Sequence, residues 1–466
     1  MYTGKHVTVM GLGLFGGGVG ATRFFAERGA LVTVTDRKPA AALAESLAAL
    51  RGLPVRYVLG RHEPDDFRQA ATVWVNADVP PDNPFVVMAR GAGAQIERSM
   101  NLLFKLTPGN PKFGVTGSNG KSTTTALLGA MLKLREPRTL VGGNIGKCLL
   151  NEAPHLAPGV PVVLELSSFM LQGLLELRQS PQVAILTNLS PNHLNWHGTM
   201  ENYTAAKQAI LKFQQSGDVA VLNDDDPEVR NWGRLTPARV LRFSVKHAPE
   251  GEAAFLAGEK LMVRVGAREE FVVLRQALRL PGDHNVANAL AAAAAARAFG
   301  LQSWQIAEAL ATFSGLPHRL EMVARGPQEV TYYNDSIATT PESVICALAS
   351  FNGPVTLIAG GSDKGCPLDE LGLMVARKVR RLVLMGATGP RIQEAVLRAA
   401  QALKCGPAIV HARDLEQAVQ TAASGALPGE AILLSPAAAS FDMFRNFEER
   451  GERFRDLARR TAKGTN

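Results

Sequence analysis

Short apolar runs rich in β-branched residues alternate along this chain with longer Ala- and Leu-rich stretches. The short runs predict strands at Val7–Met10, Leu31–Thr35, Thr72–Val75, Val162–Leu164, Val183–Thr187, Val219–Leu222, Val355–Ala359, Arg381–Met385 and Ala431–Leu434. The longer stretches predict helices at Ser122–Lys133, Asn285–Ala298, Trp304–Thr312 and Pro341–Ser350. Strands that alternate with helices are typical of βαβ units, so the pattern predicts an α/β fold with mostly parallel sheets.

The chain has 466 residues, a length that predicts about three domains. Turn-forming residues cluster at 106–110 and again at 314–318. We therefore expect domain boundaries close to these clusters. The predicted domains are 1–107, 108–317 and 318–466.

The strongest chemical signal is a glycine-rich loop at 114–122, which reads GVTGSNGKS and lies between a predicted strand and a predicted helix. Gly117 and Gly120 allow backbone N–H groups to converge on phosphate oxygens, and the helix N-terminus adds partial positive charge. In such a loop, Lys121 contacts the β- and γ-phosphates and the Ser122 hydroxyl reaches Mg²⁺. The loop predicts a site for a nucleoside triphosphate.

A carboxylate stands at the end of another apolar strand, at Glu165. An acid at the carboxyl end of a parallel strand, close to a phosphate loop, is placed to hold Mg²⁺. The local pattern is equally compatible with an edge glutamate that faces water. On this evidence alone both alternatives stay open.

A second glycine-rich turn, Gly11–Gly16, follows the first predicted strand, and Asp36 stands twenty residues beyond it. This spacing matches the dinucleotide-binding fingerprint, in which the acid contacts a ribose hydroxyl. Taken alone, the turn predicts a nicotinamide-dependent oxidoreductase. The same geometry binds other nucleotide diphosphates, and an oxidoreductase has no need of the second loop at 114–122.

Polar clusters also follow three of the apolar runs, at 187–193, 333–340 and 360–365. Each could be a solvated turn. Because open α/β sheets bind ligands beyond the carboxyl ends of their strands, their positions favour a functional role.

Composition narrows the choice of function. The net charge is +8, but Lys and Arg are scattered and form none of the long basic runs that mark nucleic-acid-binding tails. Hydrophobic segments stay below the ~18 residues needed to cross a bilayer. Four cysteines without metal-ligand spacing suit a reducing cytoplasm. We expect a cytoplasmic enzyme that binds neither nucleic acid nor membrane and acts as a monomer.

Several ordered motifs together resemble the Mur ligase family of peptidoglycan synthesis. They are GVTGSNGKST (114–123), GNIG (143–146), ELSSF (165–169), NDDDP (223–227), GDHNVANAL (282–290), GLPHRLE (315–321) and LSPAAASFDMFRNFEERG (434–451). The resemblance implies a Rossmann-like N-terminal domain, a central phosphate-loop ATPase domain and a C-terminal Rossmann-like α/β domain. The last motif is similar to that of the D-glutamate-adding branch.

The resemblance also implies a role for each domain. The N-terminal turn would bind a UDP-sugar instead of NAD. The substrates would be UDP-N-acetylmuramoyl-L-alanine and D-glutamate, joined through an acyl phosphate with the use of ATP and two Mg²⁺ ions. Implied UDP-substrate residues are Gly13, Leu14, Phe15, Asp36, Arg37, Asn144 and Ser167. Implied ATP residues are Gly117, Asn119, Gly120, Lys121, Ser122, Thr123, Asn285, Asn288, Arg319 and Asp335.

Metal ligation is implied for Ser122, Glu165, His193 and Lys207, and the last three would act in catalysis together with Lys121. Lys207 matches the lysine that this family carbamylates, a change that turns a cation into a metal-binding anion. Implied D-glutamate residues are Thr339, Lys364, Ser440 and Phe447, with Lys364 paired to a carboxylate.

The chain departs from the family pattern at several positions. Ile337 stands where many relatives have lysine, Asn192 where the family has aspartate, and Asn76-Ala77-Asp78 where it has Ser-Pro-Gly. Val115 replaces the first glycine of the general phosphate-loop pattern. Three alternatives therefore stay open beside the D-glutamate-adding ligase. They are a ligase for another amino acid (including the folate-polyglutamate type), an oxidoreductase, and a nucleotide-binding regulator without turnover.

Overall fold

The computed structural model describes residues 2–13, 16–77, 79–146, 148–363 and 365–464. The chain forms two compact units, one of residues 1–273 with 287–309 and the other of residues 274–286 with 310–466. The described residues form three sheets, each flanked by helices and mostly parallel. The predicted class, a three-domain α/β protein, is confirmed. The exact boundaries at 107 and 317 stay predictions.

The first sheet belongs to the first unit and has the strand order β3-β2-β1-β4-β5. Its strands are β1 (His6–Met10), β2 (Leu31–Asp36), β3 (Val55–Leu59), β4 (Thr72–Val75) and β5 (Gln95–Glu97), all parallel. Its helices are α1 (Gly17–Ala26), α2 (Ala44–Ala48), α3 (Pro64–Arg68), α4 (Pro84–Gly91) and α5 (Ser99–Leu106). The chain order reverses between β1 and β4, which opens a crevice at their carboxyl ends.

The second sheet has nine strands in the order β14-β13-β12-β11-β10-β9-β6-β8-β7. The strands are β6 (Lys112–Thr116), β7 (Leu140–Gly143), β8 (Val162–Glu165), β9 (Val183–Leu186), β10 (Val219–Asn223), β11 (Arg239–Ser244), β12 (Ala253–Ala257), β13 (Lys260–Val265) and β14 (Arg268–Leu274). The helices are α6 (Lys121–Arg135), α7 (Ser168–Leu177), α8 (Leu194–His197), α9 (Met200–Gln208), α10 (Asp283–Ala298) and α11 (Ser303–Thr312).

The third sheet lies in the second unit, with the order β15-β16-β20-β17-β18-β19. Its strands are β15 (Glu321–Arg325), β16 (Thr331–Asn334), β17 (Val355–Ala359), β18 (Val379–Leu384), β19 (Ala408–His411) and β20 (Ala431–Leu434). Its helices are α12 (Pro341–Ala349), α13 (Asp369–Lys378), α14 (Gly389–Leu403), α15 (Leu415–Ser424) and α16 (Phe447–Ala462). Short 3-10 turns elsewhere in the chain lie at Ala40–Leu43, Ala153–His155, Val229–Leu235, Arg275–Ala277 and Pro327–Glu329.

The predicted strands and helices are all present, with ends that differ by at most two residues. Strands β6, β8 and β9 are buried along their whole length, which explains why β8 and β9 read as apolar runs. The alanines of α10 at 291–296 are equally buried, because small side chains let the helix approach its neighbours closely.

The antiparallel hairpin β12–β13 was not predicted. Its two-residue turn is Gly258-Glu259, with Gly258 at φ 59°. A second two-residue turn, Gly266-Ala267, leads from β13 into β14, with Gly266 at φ 62°. Glycine in a two-residue loop between strand-like runs is a hairpin signal. This signal was missed because strand-like and helical stretches alternate along most of the chain.

In the described part of the chain, no helix combines the length and the apolar character that crossing a membrane requires. The four cysteines, Cys148, Cys346, Cys366 and Cys405, are free thiols.

Lys112 anchors the turn that precedes β6. Its side chain is 3% exposed, and Nζ donates hydrogen bonds to the carbonyl oxygens of Thr107 (2.5 Å) and Asn110 (2.9 Å). The ammonium also lies 5.2 Å from the Phe104 ring centroid. Burial lowers the pKa of Lys112 to about 8.

This pKa predicts a pH-dependent contribution to stability. Between pH 8 and about 10.4 the folded chain releases the Lys112 proton while the unfolded chain keeps it. The free energy of unfolding of the parent, relative to Lys112→Met, should therefore rise with pH across this window, by at most ~1.4 kcal/mol per pH unit. Parallel unfolding curves at pH 7 to 10 measure the difference. A difference that is constant over this range would contradict the depressed pKa.

Candidate functional site

The phosphate loop leaves β6 and enters α6, and its glycines fill positions that other residues cannot occupy. Gly117 has φ 149°, and a Cβ there would overlap the Thr187 hydroxyl. Gly120 has φ 83°, and a Cβ there would overlap the Asn288 carboxamide. Both glycines are therefore required by close approach as well as by backbone conformation.

The rest of the loop is held by the segment that follows β9. Ser118 N donates to Asn188 O (2.9 Å), and Ser118 Oγ donates to Ser190 O (2.8 Å). Asn119 and Asn188 exchange two bonds, Asn119 N to Asn188 Oδ1 (2.8 Å) and Asn188 Nδ2 to Asn119 O (3.1 Å). Asn188 thus supports the phosphate loop through its side chain and its backbone. It was not predicted to be a site residue. It lies in the predicted polar cluster at 187–193.

Two lysine ammonium groups meet at one carbonyl oxygen of this loop. Lys121 Nζ donates to Gly117 O (3.0 Å) and Ser118 O (2.8 Å), and Lys207 Nζ donates to Gly117 O (2.7 Å). Lys207 is 2% exposed, and burial, followed by the charge of Lys121, lowers its pKa to about 7. When both side chains are protonated, their two positive charges favour binding of an anion at the loop.

Glu165 ends β8 and is 2% exposed, because β8 lies between β6 and β7. The alternative of an edge glutamate that faces water is therefore wrong. Oε1 accepts a hydrogen bond from Asn144 Nδ2 (3.0 Å), whereas the buried Oε2 has no hydrogen-bond partner among the described residues. A buried carboxylate oxygen without a donor suits a metal cation.

His193 adopts φ 53°, a strained backbone conformation, and its amide donates to its neighbour Asn192 Oδ1 (2.9 Å). Burial and the charges of Lys121 and Lys207 lower the pKa of His193, which favours the neutral ring that metal ligation needs.

The described residues contain no group of three or more His, Cys, Asp and Glu side chains that could hold a metal. A cation at Glu165 would need oxygen ligands of other types. Ser122, which is buried at the start of α6, offers a hydroxyl, and Lys207 would offer oxygens only after modification. The donor set fits Mg²⁺, which prefers oxygen and retains water ligands.

The remaining predicted ATP residues divide between the two units. Asn288 Oδ1 accepts a hydrogen bond from the Thr124 hydroxyl (3.2 Å), which brings Asn288 to the phosphate loop together with Asn119, Thr123 and Gly120. Asn285 belongs to the other unit, where its Nδ2 donates to Pro281 O (2.7 Å). Arg319 is exposed in that same unit.

The N-terminal turn has Gly11, Gly13 and Gly16 at φ 93°, 64° and 80°. Asp36 braces this turn, because its Oδ2 accepts from Gly13 N (3.2 Å) and its Oδ1 from Lys38 N (2.9 Å). Its neighbour Arg37 is exposed. Leu14 and Phe15 lie outside the described residues.

Asn76 also borders the turn. Its Nδ2 is 3.7 Å from the position that a Cβ would occupy at Gly11, and at the same distance from that position at Gly13. It leaves β4 in the crevice between β1 and β4, where this topology binds ligands. The sequence marked Asn76 only as a departure from the family pattern.

Ser167 begins α7 as its N-cap, where Oγ accepts a hydrogen bond from Met170 N (3.3 Å). Asn144 lies nearby through its bond to Glu165. The two predicted UDP-substrate residues of the second sheet are thus placed beside the buried carboxylate.

In the second unit, Asp335 is buried and accepts hydrogen bonds from Leu320 N (3.1 Å) and Ser435 Oγ (2.7 Å). Burial raises its pKa to about 7. Ser440 is buried, Thr339 and Phe447 are half-buried, and Ser336 Oγ donates to Phe447 O (2.8 Å). Lys364 lies outside the described residues.

Arg450 on α16 joins these segments and was not singled out from sequence. It is fully buried, and its guanidinium donates to the carbonyl oxygens of Ser336 (2.9 Å), Ala438 (3.2 Å) and Ala439 (3.2 Å). Burial lowers the pKa of Arg450 to about 10. It fixes the loops that carry Asp335 and Ser440.

Replacing Arg450 with Met should lower the free energy of unfolding by at least about 2 kcal/mol, because buried carbonyl oxygens lose their donors. Arg450→Lys should recover part of the loss, because it restores the positive charge but not the planar guanidinium with its several hydrogen-bond donors. The matched control is Arg453→Met on the same helix, at an exposed arginine 3.5 Å from Glu416, with an expected change within ~0.5 kcal/mol. Denaturant unfolding measures all three variants, and equal losses at Arg450 and Arg453 would refute the structural role of the Arg450 guanidinium.

A phosphate loop on a parallel sheet, with a buried carboxylate beside it, defines an α/β protein that binds a nucleoside triphosphate and a metal. Family models agree with this class along most of the chain. Residues 5–97 match the Mur ligase MurD-like N-terminal domain, residues 115–296 the Mur ligase middle domain, and residues 318–438 the Mur ligase glutamate ligase domain. The chain belongs to the Mur ligase family and is an ATP-dependent ligase. This family uses ATP with magnesium, so the oxidoreductase alternative is wrong.

Individual relatives match over nearly the full length. The chain is 46% identical to the UDP-N-acetylmuramoylalanine–D-glutamate ligase of Roseiflexus sp. (strain RS-1), over 97% of this chain and 98% of the relative. It is 42% identical to the enzyme of the same name from Symbiobacterium thermophilum, over 97% of each.

Solved structures confirm the fold. MurF from Acinetobacter baumannii matches with a TM-score of 0.60 at 16% identity, covering 97% of this chain and 93% of that one. The UDP-N-acetylmuramate-alanine ligase of Thermotoga maritima matches with a TM-score of 0.58 at 21% identity, covering 97% and 98%.

Proposed function

We propose that this chain joins D-glutamate to UDP-N-acetylmuramoyl-L-alanine at the expense of ATP, in peptidoglycan precursor synthesis. The observation that carries the proposal is the full-length similarity, at 46% and 42% identity, to ligases named for this reaction. The ligase alternative with another amino acid is disfavoured by the same similarity. We also propose that the enzyme acts as a monomer.

In the first step of the proposed reaction, the L-alanine carboxylate attacks the γ-phosphorus of ATP, and ADP leaves. Phosphoryl transfer depends mainly on positioning and on neutralising charge. Lys121 gives up its bonds to Gly117 O and Ser118 O and turns to the β- and γ-phosphates. Asn288 and the loop amides hold the triphosphate, and Asn285, Arg319 and Asp335 are further proposed ATP residues.

Magnesium, in one or two sites, would screen the phosphate charge during this step. Glu165 Oε2, His193 and the Ser122 hydroxyl are the proposed ligands. Lys207 is a further ligand after carbamylation, which needs a neutral amine. Because burial lowers its pKa to about 7, a large fraction of Lys207 is neutral at physiological pH and able to react with CO₂, with loss of one proton.

In the second step, the D-glutamate amine attacks the acyl phosphate carbon, phosphate leaves, and the amide forms. Thr339, Lys364, Ser440 and Phe447 are proposed to hold D-glutamate, with Lys364 paired to a carboxylate. Gly13, Leu14, Phe15, Asp36, Arg37, Asn144 and Ser167 are proposed to hold the UDP-substrate. Ile337 supplies no cation where many relatives have lysine, and its backbone amide donates to His318 O (3.1 Å).

The amino-acid choice is tested by phosphate release from ATP in the presence of UDP-N-acetylmuramoyl-L-alanine. We expect release with D-glutamate, and at most background release with L-glutamate, with L-lysine or without an amino acid. A chain that releases phosphate with lysine instead would be a ligase of different specificity. A chain that binds ATP and releases none under any condition would be the non-catalytic regulator.

The separation of nucleotide and UDP-substrate binding is tested at Lys121. Lys121→Ala should lower kcat by roughly 10²–10³-fold, because a charge that stabilises the transferring phosphoryl group is lost. Calorimetric affinity for UDP-N-acetylmuramoyl-L-alanine should stay unchanged. Lys133→Ala, at an exposed lysine of the same helix, is the matched control and should retain full activity. Parallel loss of turnover and of UDP-substrate affinity would contradict separate subsites.

A further inference from the structure

The proposed metal ligands Glu165 and His193 follow strands that are not neighbours. Glu165 ends β8, and His193 follows β9, but β6 lies between these two strands in the sheet. Each strand is tied to β6, through Leu166 N to Val115 O (2.8 Å) and Thr187 N to Thr116 O (2.9 Å). No ladder of hydrogen bonds can therefore join β8 directly to β9. The distance between the two ligands is therefore set indirectly through β6, together with any contacts between the segments that follow β8 and β9.

One such contact joins His197 to Ser168. His197 Nε2 lies 2.9 Å from Ser168 Oγ, and the two residues are 6% and 2% exposed. Ser168 is the first residue of α7, three positions after Glu165. His197 is the last residue of α8, four positions after His193.

The aromatic ring of Phe169 strengthens this connection. It stacks on the His197 ring at a centroid distance of 5.6 Å and an interplanar angle of 12°. Its edge-to-face contact with the His193 ring has a centroid distance of 5.2 Å. The position of His193 is thus set partly by a residue that neighbours Ser168 in the chain.

The backbone of α8 transmits the position of His197 to His193. The amides of Trp196 and His197 both donate to His193 O, each at 3.0 Å. Because α8 has only four residues, these bonds couple the position of His197 to that of His193. On the other side, Ser168 follows a segment pinned to β6 by Thr116 Oγ1 to Leu166 O (2.7 Å).

We propose that His197 and Ser168 form a positioning pair that fixes the separation of the Glu165 carboxylate and the His193 ring, and thereby the affinity of the divalent-cation site. The pair touches neither substrate nor cation and acts through the two ligands. The proposal rests on the proposed function, which assigns Glu165 and His193 to the cation.

The test measures Mn²⁺ binding, as a stand-in for Mg²⁺, to the full chain in the presence of ADP, with free Mn²⁺ followed by electron paramagnetic resonance. His197→Phe keeps the ring stack and removes Nε2. Ser168→Ala removes the hydroxyl from the other side. Each should weaken Mn²⁺ binding about tenfold, while ADP affinity without metal stays unchanged. Because both changes break one bond, the double variant should be no weaker than either single variant.

Two further variants separate positioning from general packing. His197→Gln, whose amide can reach the Ser168 hydroxyl, should recover part of the Mn²⁺ affinity. His411→Phe is the matched control, since His411 Nε2 lies 2.5 Å from Gln393 Oε1 and both residues belong to the other unit. It should leave Mn²⁺ binding unchanged.

The outcomes distinguish failure of the pair from failure of the proposed function. If the parent with ADP does not bind Mn²⁺, the assignment of Glu165 and His193 to a cation is wrong. If the parent binds Mn²⁺ and both His197→Phe and Ser168→Ala bind it equally well, the pair has a structural role alone and the proposal is overturned. Should His197→Phe fail to fold, the smaller change Ser168→Ala decides the matter by itself.

Discussion

The central constraint in the first unit is the crowding of two ammonium groups, those of Lys121 and Lys207, around the carbonyl oxygen of Gly117. Like charges this close repel, and a single backbone dipole compensates them only in part. The two positive charges therefore favour a nearby anion, and a bound triphosphate would supply it. It also explains why Lys207 holds its proton weakly, since burial and its neighbour's charge both disfavour the ammonium form.

The order of strands in the second sheet distributes the functional groups around that loop. Placing β6 between β8 and β9 puts the loop in the middle, with Glu165 on one side and the segment 187–193 on the other. The carboxylate is buried because β7 covers the outer side of β8. The burial of Glu165 thus follows from the strand order, and its unpaired Oε2 is suited to a cation.

Local patterns in the sequence were enough to predict nine strands, four helices and the phosphate loop, whose strand, glycine turn and helix start are contiguous. They could not decide the environment of Glu165, which depends on strand β7. Nor could they find Asn188, whose partner Asn119 is 69 residues away, or Arg450, whose partner Ser336 is 114 residues away. From the sequence, Asn76 was only a departure from the family pattern, because its proximity to the glycine turn depends on the pairing of β4 with β1. Lys364, Leu14 and Phe15 keep the roles that the family resemblance implies, as predictions.

The close contacts of Gly117 with Thr187 and of Gly120 with Asn288 limit the substitutions that these positions can accept. Each loop position is sealed by a side chain from a different element, so neither a larger loop residue nor a bulkier partner is tolerated alone. A smaller side chain at Thr187 or Asn288 would remove the overlap, but a larger loop residue would still be strained, because Gly117 and Gly120 both have positive φ. Glycine at these two positions is therefore required by two independent constraints, and relaxing one of them leaves the other in force.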